Sequence, residues 1–331
     1  MIVPINVHSS QFPEQLKEEL LESLRSRKLD HKFHYENRRQ AQHWLNLHEK
    51  YSPSRKDAET RATYEEVFSV ASKFVETPAV HIIGLGCGGG EKDMMLVNKL
   101  QRLGKMLVYS ACDSSVPLVL VARQKALKIL AERNVHDLVA DFTNADDLQR
   151  IFITQTTGNS TRVINFLGMI PNFEPDVILP VISSLIRPND LLVFSANLAP
   201  GEDYESGTEK VLEQYDNPET RAWLTCLLND LGIESEDGEL KFSVEKNAKD
   251  SGLHRIVAQF EFNREKTIRA EGEEFEFTTG DTLRVFYSYR HTSATIRKWL
   301  NQESIEIVDE RITCDGEEGI FICRKNSHQP D

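Results

Sequence analysis

Residues 79–92 read Ala79-Val80-His81-Ile82-Ile83-Gly84-Leu85-Gly86-Cys87-Gly88-Gly89-Gly90-Glu91-Lys92. The apolar, β-branched start has the pattern of a buried parallel strand. It runs into five glycines within seven residues, Gly84 to Gly90, and a helical pattern follows over 91–103. A backbone without Cβ atoms turns sharply and lets a ligand approach closely. The helix start then offers unpaired N–H groups and the positive end of its dipole. Glycine costs about 0.5–1 kcal/mol relative to alanine where no geometry requires it. A strand, a glycine turn and a helix in this order therefore predict a ligand site rather than a bare loop.

The rest of the chain is arranged around that unit. Strand-like runs at 105–112, 135–140, 162–167 and 191–196 alternate with helical stretches at 115–133, 146–153 and 175–186. This rhythm predicts an α/β fold, a doubly wound parallel sheet with right-handed crossovers. Before it, Leu16, Leu20, Leu21 and Leu24 mark an amphipathic helix within 11–29, and further helices are expected near 41–47 and 57–75. After Pro200 the rhythm breaks. Residues 203–230 look helical, 234–239 form an acidic turn, and strands are expected at 254–262, 267–270 and 274–278. A strand returns at 282–289 with a helix at 293–300, both assigned to the main domain, and strands at 305–308 and 320–323 are expected to complete the main sheet. At 331 residues the chain exceeds what one core usually holds. Two domains are expected: the sheet over 61–200 and 282–326, and a smaller α+β layer over 10–60 and 201–281.

Charge narrows the class of partner. With 39 basic and 52 acidic residues the net charge is −13, which argues against nucleic acid and against an anionic membrane surface. Cys87, Cys112, Cys226, Cys314 and Cys323 are odd in number, scattered and without a CxxC, as expected of reduced thiols in a cytoplasmic protein. The N-terminal residues lack the basic and apolar regions of a signal peptide, and no run approaches a membrane span.

Gly84-x-Gly86-x-x-Gly89 fits the dinucleotide fingerprint, a weak signal alone. Asp113 follows the second strand, where a carboxylate reaches ribose hydroxyls; capping of the next helix would explain the same residue, although Ser114 is there to do that. After the third strand, Asp141-Phe142 suits an adenine, the carboxylate accepting from the exocyclic amine and the ring packing on the base. A helix-capping Asp beside a core Phe gives the same letters. The fourth strand ends in Phe166-Leu167-Gly168 and continues to Asn172-Phe173. Loops beyond the carboxyl ends of such strands face the ligand, and Asn172 carries both a donor and an acceptor. No metal site stands out: His43 and His48 are wrongly spaced for a zincin helix.

In these segments the chain resembles the histidine-specific, S-adenosylmethionine (SAM)-dependent methyltransferase family. Lys32-Phe33-His34-Tyr35, Tyr51-Ser52-Pro53-Ser54-Arg55, the glycine loop with Glu91-Lys92, Asp113-Ser114-Ser115, Asp141-Phe142-Thr143 and the Phe166–Phe173 stretch fall in the family's order. The resemblance implies a class I methyltransferase Rossmann-like sheet with a second, substrate-binding domain. It implies SAM as cofactor, held through Gly84, Gly86, Gly88, Lys92, Asp113, Asp141 and Phe142. It also implies that an N-terminal tyrosine, Tyr35 or preferably Tyr51, binds the amino acid's backbone groups together with Asn172. Tyr51 and Asn172 are then expected to orient the amine, with Tyr51 accepting its proton.

The match departs at the acceptor. The family's Arg-Ile-Glu-Met segment reads Arg255-Ile256-Val257-Ala258, and its imidazole-holding glutamate aligns with Phe286, with Ser288 retained. Phe286 and Ser288 are therefore expected to line a pocket for an amino acid or small amine other than histidine. Two alternatives use the same residues: a SAM-binding module without turnover, and an NAD-dependent oxidoreductase, which would have no need of Asp141-Phe142.

Overall fold

The computed structural model describes residues 2–156, 160–248 and 251–326. Strands β1 (Asn6–Val7), β2 (Ala79–Leu85), β3 (Met106–Asp113), β4 (Val135–Val139), β5 (Thr161–Leu167) and β6 (Leu191–Asn197) lie parallel in one sheet. The insertion supplies β7 (Gly238–Glu245), β8 (His254–Phe262), β9 (Lys266–Ala270), β10 (Glu273–Phe277) and β11 (Thr282–Arg290). Strands β12 (Ile305–Ile312) and β13 (Glu318–Lys325) return to the main sheet as an antiparallel pair. Its order is β1-β4-β3-β2-β5-β6-β13-β12. Strand order reverses between β2 and β5, and the crevice beyond their carboxyl ends is where such sheets bind ligands.

Alternation along the strands explains the layers. Ile82, Val163 and Val193 enter one apolar cluster with Val67 and Val97, while Ile83, Ile164, Phe166 and Phe194 enter another with Ile178 and Ile182. Both faces of the sheet are therefore covered, which is why its central strands read as unbroken apolar runs. Each such side chain contributes roughly 1.5–3 kcal/mol on full burial. The helices start where short polar side chains take up free N–H groups. Asn37 and Gln40 form a capping box on the helix Arg38–Tyr51. Asp57 accepts from Thr60 N at 2.7 Å at the start of Ala58–Lys73, and Ser115 caps Val116–Ala126.

A third cluster joins Leu24, Leu29 and Phe33 of the N-terminal segment to Trp223, Leu227, Phe260 and Phe286 of the insertion. The two separated stretches therefore share one small layer, over the antiparallel sheet β11-β8-β7. Three expectations change here. Residues 282–290 do not belong to the main sheet: β11 pairs with β8 from Thr282 opposite Glu261 to Arg290 opposite His254. The acidic turn ends at β7, in which Leu240, Phe242 and Val244 alternate with polar residues in a period of two. The single helix expected over 203–230 is two, Tyr204–Lys210 and Pro218–Asp230, because Asn217 caps a new start with Pro218 behind it.

Candidate active site

The ends of β2, β3 and β5 and the N-terminal segment enclose a cavity of about 560 Å³. Gly86 (φ +64°) and Gly88 (φ +49°) form its wall in left-handed conformations. A Cβ on Gly86 would stand 2.6 Å from the Met169 sulfur, and one on Gly88 2.6 Å from the tip of the Trp44 ring. Gly84 differs from the expectation. It lies behind the wall, where a Cβ would collide with the Asp93 carboxylate. That buried carboxylate accepts from Tyr109 Oη at 2.7 Å and Asn165 Nδ2 at 2.8 Å, so Gly84 makes room for a strut of the loop rather than for the ligand.

Asp113 ties the turn to the next strand. Its carboxylate accepts from Gly88 N and Ser115 N, each at 3.0 Å. Burial raises its pKa to about 6 despite those bonds. Ser114 N adds a third such bond, and one of the four acceptor positions remains for a ribose hydroxyl. Lys92 also lines the cavity, but its ammonium is spoken for by Tyr64 Oη at 2.6 Å and Glu318 at 3.3 Å.

The expectation for Asp141 changes more. Oδ1 accepts from Thr143 N and Oγ1, and Oδ2 from Lys32 Nζ at 2.8 Å and Asn144 Nδ2 at 3.2 Å. Burial works to raise its pKa, but the Lys32 ammonium and these hydrogen bonds outweigh it and hold the group below the usual value. All four acceptor positions are used, leaving none for an adenine amine. Phe142 lines the cavity with its ring packed on Phe166 and Phe173.

On the acceptor side, Asn172 sits in the turn after β5 and lines the cavity, and its carboxamide has no hydrogen-bond partner among the described residues. Tyr35 lines the same space beside Trp44 and Trp223, and burial pushes its phenol upward. Tyr51 does not reach it. Tyr51 is 41% exposed at the end of its helix and donates to Glu219 at 2.8 Å. Its expected role as proton acceptor has no geometry here. Phe286 and Ser288 do not line the cavity either. A β-bulge between Arg284 and Phe286 shifts the alternation of β11. Arg284 and Tyr287 therefore line the cavity, while Phe286 packs on Trp223 and Tyr215 and Ser288 Oγ lies 2.9 Å from Tyr215 Oη.

Several wall residues carried no signal of their own in the sequence. Trp44 lies over the glycine turn and against His48, whose pKa burial, then Lys92 and Arg55, lower to about 3. Their i, i+4 spacing on one helix was the available clue. Lys32 was visible only as part of a motif, His31 and Arg284 not at all.

A model of the histidine-specific, SAM-dependent methyltransferase family matches residues 16–325. The chain belongs to that family. It is a SAM-dependent methyltransferase with the α/β class I sheet, and the oxidoreductase alternative is set aside. Three solved structures show similar arrangements. A SAM-dependent methyltransferase from Clostridium acetobutylicum is 11% identical over 86% of this chain and 98% of its own, with a TM-score of 0.47. The magnesium protoporphyrin IX methyltransferase of Synechocystis, with bound S-adenosylhomocysteine (SAH), is 14% identical over 86% and 94%, at 0.45. The 1,6-didemethyltoxoflavin-N1-methyltransferase of Burkholderia thailandensis is 12% identical over 94% and 91%, at 0.46. No curated protein sequence matches this methyltransferase. Among the described residues no helix is long and apolar enough to cross a membrane.

Proposed function

We propose that this methyltransferase methylates the amino group of an amino acid or related small amine other than histidine. The observation that carries the reading is one continuous cavity, running from the glycine turn and Asp113 to an Asn172 carboxamide with no partner among the described residues. The residues of the turn fit SAM. Gly86 and Gly88 present bare backbone to the cavity, Asp113 retains acceptor capacity, and Phe142 and Leu118 offer apolar surface. When bound, SAM supplies an electrophilic methyl carbon on a sulfonium.

The chain's own task is to align and dehydrate the amine. Effective molarity from such alignment is worth about 7–11 kcal/mol. An α-amine has a pKa near 8, so at neutral pH it must give up a proton, to solvent, before its lone pair attacks the methyl carbon. Asn172 Oδ1 accepts a hydrogen bond from the amine and directs its lone pair. The Tyr35 phenol lines the same cavity, and burial, then the Asp113 carboxylate, keep it protonated, so it does not act as a phenolate base. The missing glutamate supports the exclusion of histidine: Phe286, which aligns with it, is turned into an apolar cluster and brings no carboxylate to the cavity.

The test is a screen of amino acids and small amines for SAH release from SAM. At least one amine is expected to give turnover, and Asn172→Ala to lower its kcat/KM at least tenfold with SAH affinity unchanged. Binding of SAH with no release from any amine would overturn the reading in favour of a module without turnover.

A further inference from the structure

The end of the cavity formed by β11 and the segment after Pro13–Arg25 carries charge that methyl transfer does not use. Arg284 N donates to Arg27 O at 3.0 Å and Leu29 N to Arg284 O at 2.8 Å, which makes Lys28 and Arg284 a directly paired bridge. Paired positions send their side chains to one side. Both residues line the cavity and also an adjoining cleft of about 400 Å³, so they stand where the two meet. The other cations here have partners. Lys32 holds Glu19 and Asp141, Arg55 holds Glu91, Lys92 holds Glu318, and Arg255 holds Glu245 and Glu174. Arg284 and Lys28 have no carboxylate within 4.0 Å among the described residues.

Two further observations point at the same corner. Among the described residues the buried Arg284 Nε has no hydrogen-bond partner, and neither has either ring nitrogen of His31. His31 lines the cavity with its ring edge-on to Tyr287, over which the Arg284 guanidinium lies at 4.9 Å. Burial, and then the positive charges around it, keep His31 neutral, so one of its nitrogens is a donor. Buried donors without acceptors are costly, and a group that satisfies them all is an oxyanion. Glu22, Asp30 and Glu174 line this end too, and Glu245 and Asp281 line the adjoining cleft; Glu245 and Glu174 act on Arg284 through space. Asp30 accepts from Lys32 N, Asp281 pairs with Arg27, Glu245 with Arg255, and Glu174 with Arg255 and the Tyr289 hydroxyl; among the described residues none of these carboxylates pairs with Arg284 or Lys28.

Resting on the proposed amine methylation, we propose that the acceptor is an amino compound whose far end is an oxyanion, bound by Arg284 and Lys28 with His31 donating. The amine then lies toward Asn172 and the acid at the mouth of the second cleft. Carboxylate and phosphate share this chemistry, and Arg284 selects it over neutral side chains.

Calorimetry on SAH-loaded protein tests this with matched pairs: aspartate with asparagine, glutamate with glutamine, 2-aminoadipate with its amide, and O-phosphoserine with serine. The series steps the anion outward and separates carboxylate from phosphate. At least one acid is expected to bind tenfold or more tightly than its neutral partner. Arg284→Met should bring that ratio near one with SAH affinity unchanged, and the exposed Lys28→Met should lower it severalfold if Arg284→Met does not fold. Preference for neutral or basic amines, or a ratio that neither variant moves, would overturn the proposal while leaving amine methylation standing. If SAH itself fails to bind, the methylation reading falls, and the same ratios measured without SAH judge the anion site alone.

Discussion

Replacing Lys32 by methionine would leave two carboxylates in one buried corner with no cation between them. Lys32 is 8% exposed, and its ammonium lies 2.8 Å from Asp141 and against Glu19. Removing one partner of a buried ion pair costs about 3–5 kcal/mol, because the remaining charge is left uncompensated. In domains of 150–250 residues each kcal/mol moves Tm by roughly 2–4 °C, so a loss of about 6–20 °C is expected at pH 7. The sign of the pH dependence follows from Asp141. Its folded pKa is depressed, so its contribution is present above the unfolded value and is lost as pH falls through the folded one. In Lys32→Met the same carboxylates have raised pKa values and protonate earlier. The difference in Tm between wild type and variant should therefore narrow as pH drops toward about 4. Differential scanning calorimetry across that range measures it, with Lys246→Met as control. Lys246 pairs with Glu205 and Glu209 on the surface, and its loss should leave Tm unchanged. A loss below about 3 °C for Lys32→Met, or a gap that stays constant with pH, would refute the view of Lys32 as a buried counter-charge.

Gly88→Ala should weaken SAH binding at least tenfold, since its Cβ would meet Trp44 at 2.6 Å and φ is +49°. Gly168→Ala, with φ +73° and nothing within 4 Å, should cost only the left-handed strain of about 1–2 kcal/mol in stability. Titration of SAH binding against pH should show affinity falling below about 6 as Asp113 protonates, and Asp113→Asn should flatten the profile. Because this folded pKa is raised, the group's contribution to the stability of the ligand-free protein falls as pH rises from about 4 to about 6. Tyr51→Phe should keep wild-type kcat/KM, because its hydroxyl faces Glu219 and not the cavity; a tenfold loss would restore Tyr51 to the mechanism.

The site was legible in the sequence where its chemistry is local. A glycine-rich strand-to-helix turn already points to a ligand-sized space, although Gly84 serves the Asp93 strut instead, and an Asp at the next strand end lies beside it in any parallel sheet with right-handed crossovers. Asn172 was legible for the same reason. Of the two tyrosines the family resemblance offered, Tyr35 lines the cavity and Tyr51 does not, because a helix of 14 residues separates their surroundings.

The remaining features depend on partners far along the chain. Lys32 reaches Asp141 across 109 positions, and no pattern near either residue announces the pair. The alternation in β11 suits either sheet equally well, and only its register with β8 assigns it to the smaller one. The bulge in that register decides that Arg284 and Tyr287 face the cavity while Phe286 turns into the apolar layer. The amino-acid sequence by itself determined the sheet and the glycine turn, since these follow from periodicity and backbone freedom within a few residues, and the cofactor class came from the family resemblance spread along the chain. Tertiary structure alone decided which charges are neutralised and which side chains face the acceptor. Those depend on one-residue shifts in pairing and on the desolvation of groups brought together from distant parts of the chain.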